Sequence, residues 1–501
     1  MTVYHNPDKY PRQTGWRAYQ EYLRRNQRRT RRSRIRRWRK RCAVGGMIVL
    51  MVMIAGKVLF SSQEEETESP LPASTSAEAS SPAADPASPV IESAGPELES
   101  ASSGVEAADP AIAPPPRTVP PTKLIQKADV DIFLGQTRLI NLETQPVEIT
   151  FDHRPYRVRT SLDLDLQRYL LKKMDRVNSR YIGIVAMHPD TGRLLVLAGF
   201  NKIDPDEDPC LTADYPAASL FKIVTAAAAI EEKGYTARTR LKFNGYKHTL
   251  YKRQLTDKTN RYTNSISFKD AFAQSVNPVF GKIGALYLKP KALEVFGDAF
   301  GFNRTVNFEL PWPTSHLKVD DDSYRRAEIA SGFNRQTTLS PLHGAVIVSA
   351  VVNGGTPVEP TLVDRISDDA GQPVYESRPQ FMEAAVSAHT AEVLRQLMSA
   401  TVTSGTARKI FRGHHRSKVL SRLTLGGKTG SIFNRAHDAR FDWYVGYANE
   451  KKGHEKMVVA VVVAHEEYIG IRAGQYARMA IEHYFKDYFA RQKENGEDSS
   501  G

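Results

Sequence analysis

Apolar and polar residues begin to alternate after residue 122, and the alternation predicts the first strands of the chain. The period-two pattern at 147–151 and again at 156–158 predicts a β-hairpin with its turn at 152–155. Two apolar runs at 182–187 and 194–198 predict a second hairpin, because a Pro-Asp-Thr-Gly turn separates them. The folded part of the chain therefore begins with two strand pairs.

Helical periodicity follows, and apolar strands return near the C-terminus. The helix predicted at 219–233 has an alanine-rich centre without large side chains, which indicates a central position packed on most faces. Strands on both sides of a helix-rich middle indicate an α+β fold with an antiparallel sheet covered by helices. The other predicted helices are 164–177, 268–273, 279–288, 341–352, 391–402 and 474–490, and the late strands are 423–431, 443–448 and 457–464.

The N-terminal part has a charge pattern typical of a membrane anchor. Twelve positions in 24–41 are Lys or Arg, the apolar run 43–60 follows, and Glu64, Glu65 and Glu66 come next. About 20 apolar residues span a bilayer as a helix, and the flanking cations stay in the cytoplasm. We expect a single-pass helix in the inner (cytoplasmic) membrane, with a cytoplasmic N-terminus and the bulk of the chain on the extracytoplasmic, periplasmic side. A cleaved secretory signal is the alternative interpretation.

The N-terminal tail alone has a net charge of +13, which equals the net charge of the whole chain. Residues 1–42 contain 15 basic and 2 acidic side chains, and we expect positions 24–41 to contact anionic lipid of the inner membrane. Nucleic-acid binding is the other interpretation of such a tail. It is not favoured, because the basic run lacks interleaved base-stacking aromatics beyond Trp38.

The segment 61–120 is rich in Ser, Ala, Pro and Glu, and it contains 11 acidic side chains and one basic. Such a composition cannot bury enough apolar surface to fold, so we predict a disordered linker. Cys42 and Cys210 cannot form a disulfide framework, and neither has a metal-binding spacing. The predicted organisation is a basic tail at 1–42, an anchor at 43–60, a linker at 61–120, a small β-hairpin stalk at 121–160, a folded domain at 161–490 and a flexible tail at 491–501.

Candidate chemistry begins at the start of the central helix. Ser219 and Lys222 are three positions apart, so a helix places the hydroxyl and the amine on one face within hydrogen-bond reach. A lysine that is desolvated and close to another cation has a lowered pKa and can accept the serine proton. A Ser-x-x-Lys pair alone is weak evidence, since it also occurs as a capping serine beside a surface lysine.

Two further motifs strengthen the interpretation. Ser275-Val276-Asn277 is predicted in a loop between helices, and Lys428-Thr429-Gly430-Ser431 at the end of a strand. Ser-x-x-Lys, Ser-x-Asn and Lys-Thr-Gly-Ser in this order resemble the penicillin-binding protein transpeptidases, which share a superfamily with the serine β-lactamases. The resemblance extends over about 160–490, through the hairpin at 181–199 and the segments 339–342, 353–355, 403–407 and 441–447.

The resemblance implies catalytic roles for four residues. Ser219 would be the acylated nucleophile and Lys222 its base. Ser275 would relay a proton between Lys222, Lys428 and the leaving amine, while Lys428 also contributes positive potential. The resemblance also implies a five-stranded antiparallel sheet, an all-helical subdomain, and neither a cofactor nor a metal.

The remaining motif residues would bind substrate. Asn277 would hold the substrate amide, and the hydroxyls of Thr429 and Ser431 would bind the terminal carboxylate of a D-alanyl-D-alanine stem. Alternation along a strand puts these two hydroxyls on the same side. Gly430 would let a substrate strand approach closely. The backbone N–H groups of Ser219 and Ser431 would form the oxyanion hole.

The implied function is crosslinking of peptidoglycan stem peptides by a monofunctional, β-lactam-sensitive D,D-transpeptidase, because glycosyltransferase motifs are absent from the chain. Peptidoglycan stems and β-lactams would be its ligands, and a cell-wall glycosyltransferase is a candidate partner. Hydrolysis is an open alternative, as a D,D-carboxypeptidase or a β-lactamase, although no Glu-x-x-x-Asn segment suggests a water-activating base. A penicillin-binding sensor or scaffold without catalysis is the third possibility.

Other conspicuous residues favour structural interpretations. His414 and His415 lie among basic residues that would repel a metal ion. The acidic run at 204–208 is interrupted and flanked by prolines, which indicates a surface loop rather than a calcium site. Cys210 has no base nearby in the sequence and is interpreted as structural.

Overall fold

The computed structural model describes residues 124–498, with side chains up to residue 494. The basic tail, the predicted anchor and the predicted linker lie outside these residues. Between residues 124 and 498, no helix combines the length and the apolar character needed to cross a bilayer.

Among the residues that the structure describes, the strands form one large antiparallel sheet, a second sheet of four strands and two short pairs. The strands are β1 Val147–Phe151, β2 Arg154–Thr160, β3 Ser179–Met187, β4 Leu194–Asn201, β5 Tyr215–Pro216, β6 Arg240–Phe243, β7 Asn264–Ser267, β8 Thr338–Leu339, β9 Val363–Asp368, β10 Pro373–Glu376, β11 Leu423–Phe433, β12 Arg440–Glu450 and β13 Lys456–His465.

Helices connect these strands and cover the large sheet. The α-helices are α1 Val130–Leu134, α2 Leu164–Lys173, α3 Lys222–Lys233, α4 Phe268–Ala273, α5 Asn277–Lys282, α6 Ala292–Ala299, α7 Ser323–Ser331, α8 Pro341–Val352, α9 Ala388–Thr403 and α10 Ala473–Asp498. Single 3-10 turns occur at Lys127–Asp129, Ala218–Phe221, Lys252–Gln254, His414–Arg416 and Leu420–Arg422, and a π-helical turn at Ile283–Tyr287.

The large sheet has the order β11-β12-β13-β3-β4, with every neighbouring pair antiparallel. Along β13, Val458, Ala460 and Val462 belong to the core on one face, whereas Val459 and Val461 belong to the core on the other. Helices α2 and α10 pack on the second face, and α8 packs on the first. The predicted α+β fold with a five-stranded antiparallel sheet between helices is therefore confirmed.

The second sheet begins with the predicted hairpin. Asp152 and His153 form its two-residue turn and have φ values of 48° and 59°, the left-handed conformation that a tight hairpin turn requires. Strand β2 also pairs with β9, which pairs with β10. The predicted stalk thus contributes half of a sheet whose other half comes from residues 363–376, a long-range pairing without a local sequence signal.

The two edges of the large sheet differ. The backbone of β4 is occupied by neighbouring side chains, because Asn141 bonds both the N–H and the carbonyl of Gly199, and Gln167 accepts from Leu197 N at 2.9 Å. Strand β11 lies at the opposite end of the sheet order and has a strand neighbour on one side only. An unpaired strand edge offers hydrogen-bonding groups to another chain.

Some predicted boundaries are wrong. Ser219 lies in the 3-10 turn 218–221, and the α-helix begins at Lys222. Asn277 is the first residue of α5 rather than a loop residue, and the predicted helix at 279–288 ends as a π-helical turn. The last helix continues to Asp498, into the stretch predicted as a flexible tail. Helix ends fray and often contain a 3-10 turn, and tertiary context overrides local propensity there.

Candidate active site

Ser219 stands at the entrance to the central helix α3. Just before it, β5 pairs with β8, and the Trp443 indole N–H donates to the Pro216 carbonyl at 3.0 Å. Ala218, the residue immediately before Ser219, has a φ of 50°. A non-glycine residue in this region is strained and persists only where its surroundings hold it. The turn therefore fixes the Ser219 hydroxyl instead of leaving it on a mobile loop.

Lys222 follows one helical turn later and is fully buried. Its Nζ atom lies 2.8 Å from Ser219 Oγ and 2.8 Å from Asn277 Oδ1, and it also donates to the Ser331 carbonyl. Burial lowers the Lys222 pKa well below its ordinary value, and the charge of Lys428 lowers this pKa further. Both effects favour the neutral amine.

The neutral amine matches its three partners. It has two N–H bonds and one lone pair, while the Asn277 amide oxygen and the Ser331 carbonyl can only accept. If these two oxygens take the two N–H bonds, the lone pair is left for the Ser219 hydroxyl. In that arrangement the Lys222 lone pair points at the Ser219 hydroxyl.

Lys428 is the second buried amine, and it reaches the site from β11. Its Nζ donates to Ser275 Oγ at 3.1 Å and to the Thr429 carbonyl at 2.8 Å. Burial lowers the Lys428 pKa to about 7. Ser275 has a φ of 56°, again a strained conformation for a non-glycine residue. The two lysines therefore reach the same group of side chains from different elements. We call the space beside Ser219, Lys222, Ser275 and Lys428 the cleft.

The rest of the third motif lies along the open edge of the sheet. A Cβ atom on Gly430 would lie 3.2 Å from Ala218 Cβ and 3.4 Å from Ser219 N, so this strand passes directly beside the serine backbone. Thr429 and Ser431 face the other side of β11, where Thr429 Oγ1 lies 2.6 Å from Thr406 Oγ1. The structure therefore brings the backbones of the three motifs together, with the side chain of Lys428 on the Ser219 side of β11 and those of Thr429 and Ser431 on the opposite side.

Sequence reasoning missed several neighbours of this cleft. Ser331 contributes a backbone carbonyl, which has no sequence signature. Thr406 and Asp442 lie in segments of the resemblance but were given no role. Burial lowers the pKa of His248, and the charges of Lys222 and Lys428 lower it further, so this side chain is also close to the site.

The other conspicuous residues play structural parts. The Cys210 thiol is fully buried, lies 3.3 Å from the Ala198 carbonyl and has a pKa raised well above its ordinary value by burial. Asp208, in the acidic run, accepts from Cys210 N at 2.7 Å. Within 124–498, no group of three His, Cys, Asp or Glu side chains could hold a metal ion, and this includes the surroundings of His414 and His415.

Comparison with known families agrees with the family resemblance that the three motifs indicate. Residues 182–482, more than half of the chain, match the model of the penicillin binding protein transpeptidase domain. The chain belongs to this family. Within it, the chain is 24% identical over 292 residues to stage V sporulation protein D of Bacillus subtilis, which covers 55% of this chain and 44% of that protein. It is also 24% identical over 322 residues to the peptidoglycan D,D-transpeptidase PbpA of Mycolicibacterium smegmatis. This match covers 56% of this chain and 61% of that protein.

The penicillin-binding fold is also found among solved structures. The D,D-transpeptidase domain of a peptidoglycan glycosyltransferase from Eggerthella lenta superposes with a TM-score of 0.54 at 23% identity, over 66% of this chain and 83% of that one. The chain spans about half the length of the curated relatives it matches. These similarities identify the family and the fold, and the geometry of the cleft carries the argument about chemistry.

Gly332, which follows α7, should be essential to the position of Ser219. It has a φ of 63°, and a Cβ atom there would lie 1.8 Å from the Ala218 carbonyl oxygen and 2.8 Å from Ser219 N. Gly234 after α3 has a φ of 62° with nothing within 4 Å of such an atom. We expect Gly234→Ala to cost only about 1 kcal/mol of unfolding free energy. Gly332→Ala should cost about 2–4 kcal/mol, because a buried steric clash of about 1–3 kcal/mol is added to the same backbone cost.

Urea unfolding of the matched pair measures both costs. Penicillin acylation should fall at least tenfold in Gly332→Ala and stay near the wild-type rate in Gly234→Ala. Equal losses in the two variants would show that backbone conformation, and not the contact with the Ser219 turn, is what matters at position 332.

Proposed function

We propose that the protein is a penicillin-binding D,D-transpeptidase that crosslinks peptidoglycan stem peptides through an acyl-enzyme on Ser219. The observation that supports this most directly is the 2.8 Å contact between Ser219 Oγ and the buried Lys222 amine. In the first step, Lys222 accepts the hydroxyl proton while Ser219 Oγ attacks the penultimate D-Ala carbonyl. The C–N bond then breaks, and the terminal D-Ala leaves as an amine.

Proton transfer to the leaving amine is assigned to Ser275. Its hydroxyl accepts a hydrogen bond from Lys428, so its own proton can be directed toward the leaving amine, and it takes in exchange the proton that Lys222 removed from Ser219. A second stem then presents its amine, which attacks the Ser219 ester. The proton of this amine passes back through Ser275 to Lys222, and Lys222 returns a proton to the Ser219 oxygen as the ester bond breaks. Lysine amines of lowered pKa are suited to receive and return a proton near neutral pH.

Substrate binding is assigned to the edge of β11 and to Asn277. The Oδ1 atom of Asn277 is held by Lys222, which leaves the Nδ2 hydrogens to donate to a substrate carbonyl. Thr429, Gly430 and Ser431 provide an open strand edge where an extended peptide can add by backbone hydrogen bonds. The charge of Lys428 and the hydroxyls of this strand would attract the terminal carboxylate, and the N–H groups of Ser219 and Ser431 would stabilise the oxyanion.

Among the described residues, the hydrogen-bond partners of Lys222 are hydroxyl, amide and carbonyl oxygens, and the charge that shifts its pKa is another lysine. A β-lactamase needs a base that activates water beside the ester. A carboxylate in that position would raise the pKa of Lys222. The surroundings of Lys222 therefore favour a long-lived acyl-enzyme over rapid hydrolysis.

We propose that the catalytic domain is extracytoplasmic and anchored by the apolar run 43–60. The charge step across this run supports the proposal, with the basic positions 24–41 on the side of anionic inner-leaflet lipid. The linker 61–120 would join the anchor to the β-hairpin stalk 121–160 and the transpeptidase domain 161–490, which includes an all-helical subdomain around α4–α7. A glycosyltransferase is the kind of partner that would supply uncrosslinked strands.

Ser219→Ala should abolish the covalent adduct with labelled benzylpenicillin, because Ser219 holds the hydroxyl that lies 2.8 Å from Lys222, whereas the Lys428 amine beside Ser275 is assigned the charged form that attracts the ligand carboxylate. Mass spectrometry of the wild-type adduct should assign it to the peptide that contains Ser219. Ser265→Ala, on the exposed strand β7, is the matched control and should be labelled normally. An adduct that survives in Ser219→Ala, or that hydrolyses within seconds, would contradict the transpeptidase assignment.

The acylation rate constant should have a bell-shaped pH profile. It rises as Lys222 loses its proton, since the charged amine cannot act as a base. It falls above about pH 7, where Lys428 loses the charge that attracts the ligand carboxylate. Lys428→Arg keeps this charge, so its alkaline limb should move to higher pH while acylation near pH 6 shows that the variant is folded. An unchanged alkaline limb would mean that Lys428 does not control it.

Alkaline carbonate extraction should leave the full-length chain in the bacterial membrane fraction, because a spanning helix is held by apolar burial rather than by charge. A variant that lacks 43–60 should be released. Protease added to intact spheroplasts should digest the catalytic domain. Release of a shortened wild-type chain would instead indicate a cleaved signal.

A further inference from the structure

The long loop 244–263, which connects β6 to β7, lies beside the cleft. The carbonyl of Lys247 accepts from Asn277 N at 2.7 Å, and Lys247 Nζ donates to Gln274 Oε1 at 2.6 Å. Gln274 and Asn277 are the residues on either side of Ser275-Val276. The loop is therefore attached directly to the backbone and side chains that surround the second motif.

Internal hydrogen bonds give this loop a defined conformation. Its two ends are joined, because Thr263 Oγ1 donates to Asn244 Oδ1 at 2.7 Å. Gln254 is only 3% exposed and lies inside the loop, where its amide group donates to the Asn244 carbonyl at 2.8 Å and accepts from Tyr251 N at 2.9 Å. Compact surface loops with joined ends are frequently functional. The outer side chains of this loop thus extend from an ordered backbone.

The exposed side chains of the loop carry positive charge. Its single acidic residue, Asp257, is paired with the buried Lys282 at 2.7 Å and accepts from the Tyr287 hydroxyl at 2.5 Å. The charge of Asp257 is therefore balanced by a lysine from outside the loop. Among the described residues, no carboxylate forms an ion pair with any of the exposed Lys and Arg side chains of the loop, which are Lys247, Lys252, Arg253, Lys258 and Arg261.

Tyrosine rings position two of these cations. The Arg253 guanidinium lies 5.1 Å from the ring centre of Tyr251, and the Arg261 guanidinium lies 4.7 Å from the ring centre of Tyr262. A ring face attracts a cation without neutralising its charge. A side chain that is already held in place also loses less conformational entropy when it binds a ligand. The loop therefore presents ordered positive charges that are available to an anion.

We propose that loop 244–263 binds the stem peptides that neighbour the reacting stem on the same uncrosslinked peptidoglycan strand. This inference rests on the proposed function. Each uncrosslinked stem ends in a carboxylate, so a strand with several stems is a repeating anion. One stem occupies the cleft, and its neighbours must lie on the surfaces around it. The unpaired cations of the loop are complementary to those stems in charge.

Binding at two places on one strand has a consequence that a single stem cannot show. When the cleft holds one stem, the effective concentration of the next stem at the loop is high, so the strand binds more tightly than its separate units. The loop would thus make this protein select polymeric strands over single disaccharide-peptide units.

The test measures two dissociation constants in Ser219→Ala protein, which cannot be acylated. The ligands are a soluble glycan strand with several uncrosslinked stems and a single disaccharide-stem unit, both at equal stem concentration. We expect the strand to bind at least about tenfold more tightly per stem. The triple variant Lys252→Gln, Arg253→Gln, Arg261→Gln should lose most of this preference, because each exposed ion pair contributes up to about fivefold.

A matched control removes the same charge from another surface. Arg154→Gln, Arg157→Gln and Arg159→Gln together remove three exposed arginines from β2, and this variant should keep the preference for the strand. Circular dichroism melting curves report whether each variant is folded. Raising sodium chloride from about 50 to about 300 mM should reduce the preference of the parent protein, because exposed charges are screened. This salt series requires no loop variant.

Four results would overturn the proposal: equal affinity per stem for strand and unit, a preference that salt does not reduce, a preference that persists in the folded loop variant, or an equal loss in the β2 control. Tighter binding of anionic lipid vesicles than of the strand, lost in the loop variant, would assign the loop to a membrane surface instead. A wild-type protein that forms the Ser219 acyl-enzyme without strand preference contradicts this inference alone. Strand preference without an acyl-enzyme contradicts the proposed function alone.

Discussion

The burial of the Lys222 amine is the constraint on which the rest of the site depends. An ammonium group without solvent is costly, and a second buried amine at Lys428 adds to that cost, so the neutral form is favoured. A neutral amine acts as a base only if its lone pair points at the hydroxyl. Here the direction is set by two acceptors from separate elements, Asn277 at the start of α5 and the Ser331 carbonyl at the end of α7.

This constraint explains features that look unrelated in the sequence. The strained turn at Ala218, the glycine at position 332 and the bond between Trp443 and the Pro216 carbonyl all hold the Ser219 turn against the end of α7 and the sheet. The strain is tolerable because the surrounding core is closely packed and cannot adjust to a looser arrangement. The contacts that position Ser219 are therefore also packing contacts of the core in this part of the fold.

The large sheet contributes to the site because its two edge strands differ. Asn141 and Gln167 occupy the backbone of β4, while β11 has a strand neighbour on one side only. The open edge passes beside Ser219 N, so a peptide that adds to the sheet would lie along the Ser219 backbone.

The sequence by itself determined the three motifs, their order and the strand that carries the third, whereas Ser219 lies in a 3-10 turn ahead of the predicted helix and Asn277 begins a helix instead of lying in a loop. It also predicted the central helix and the antiparallel sheet, because helical and strand periodicities are local and the alanine-rich segment signals burial. Only the tertiary structure decided which atoms meet. The Ser331 carbonyl, the pairing of β2 with β9 and the contact of Ser431 with Asp442 join parts of the chain that are not neighbours in sequence. Such contacts depend on strand register and helix packing, which depend on the whole core and not on any one segment.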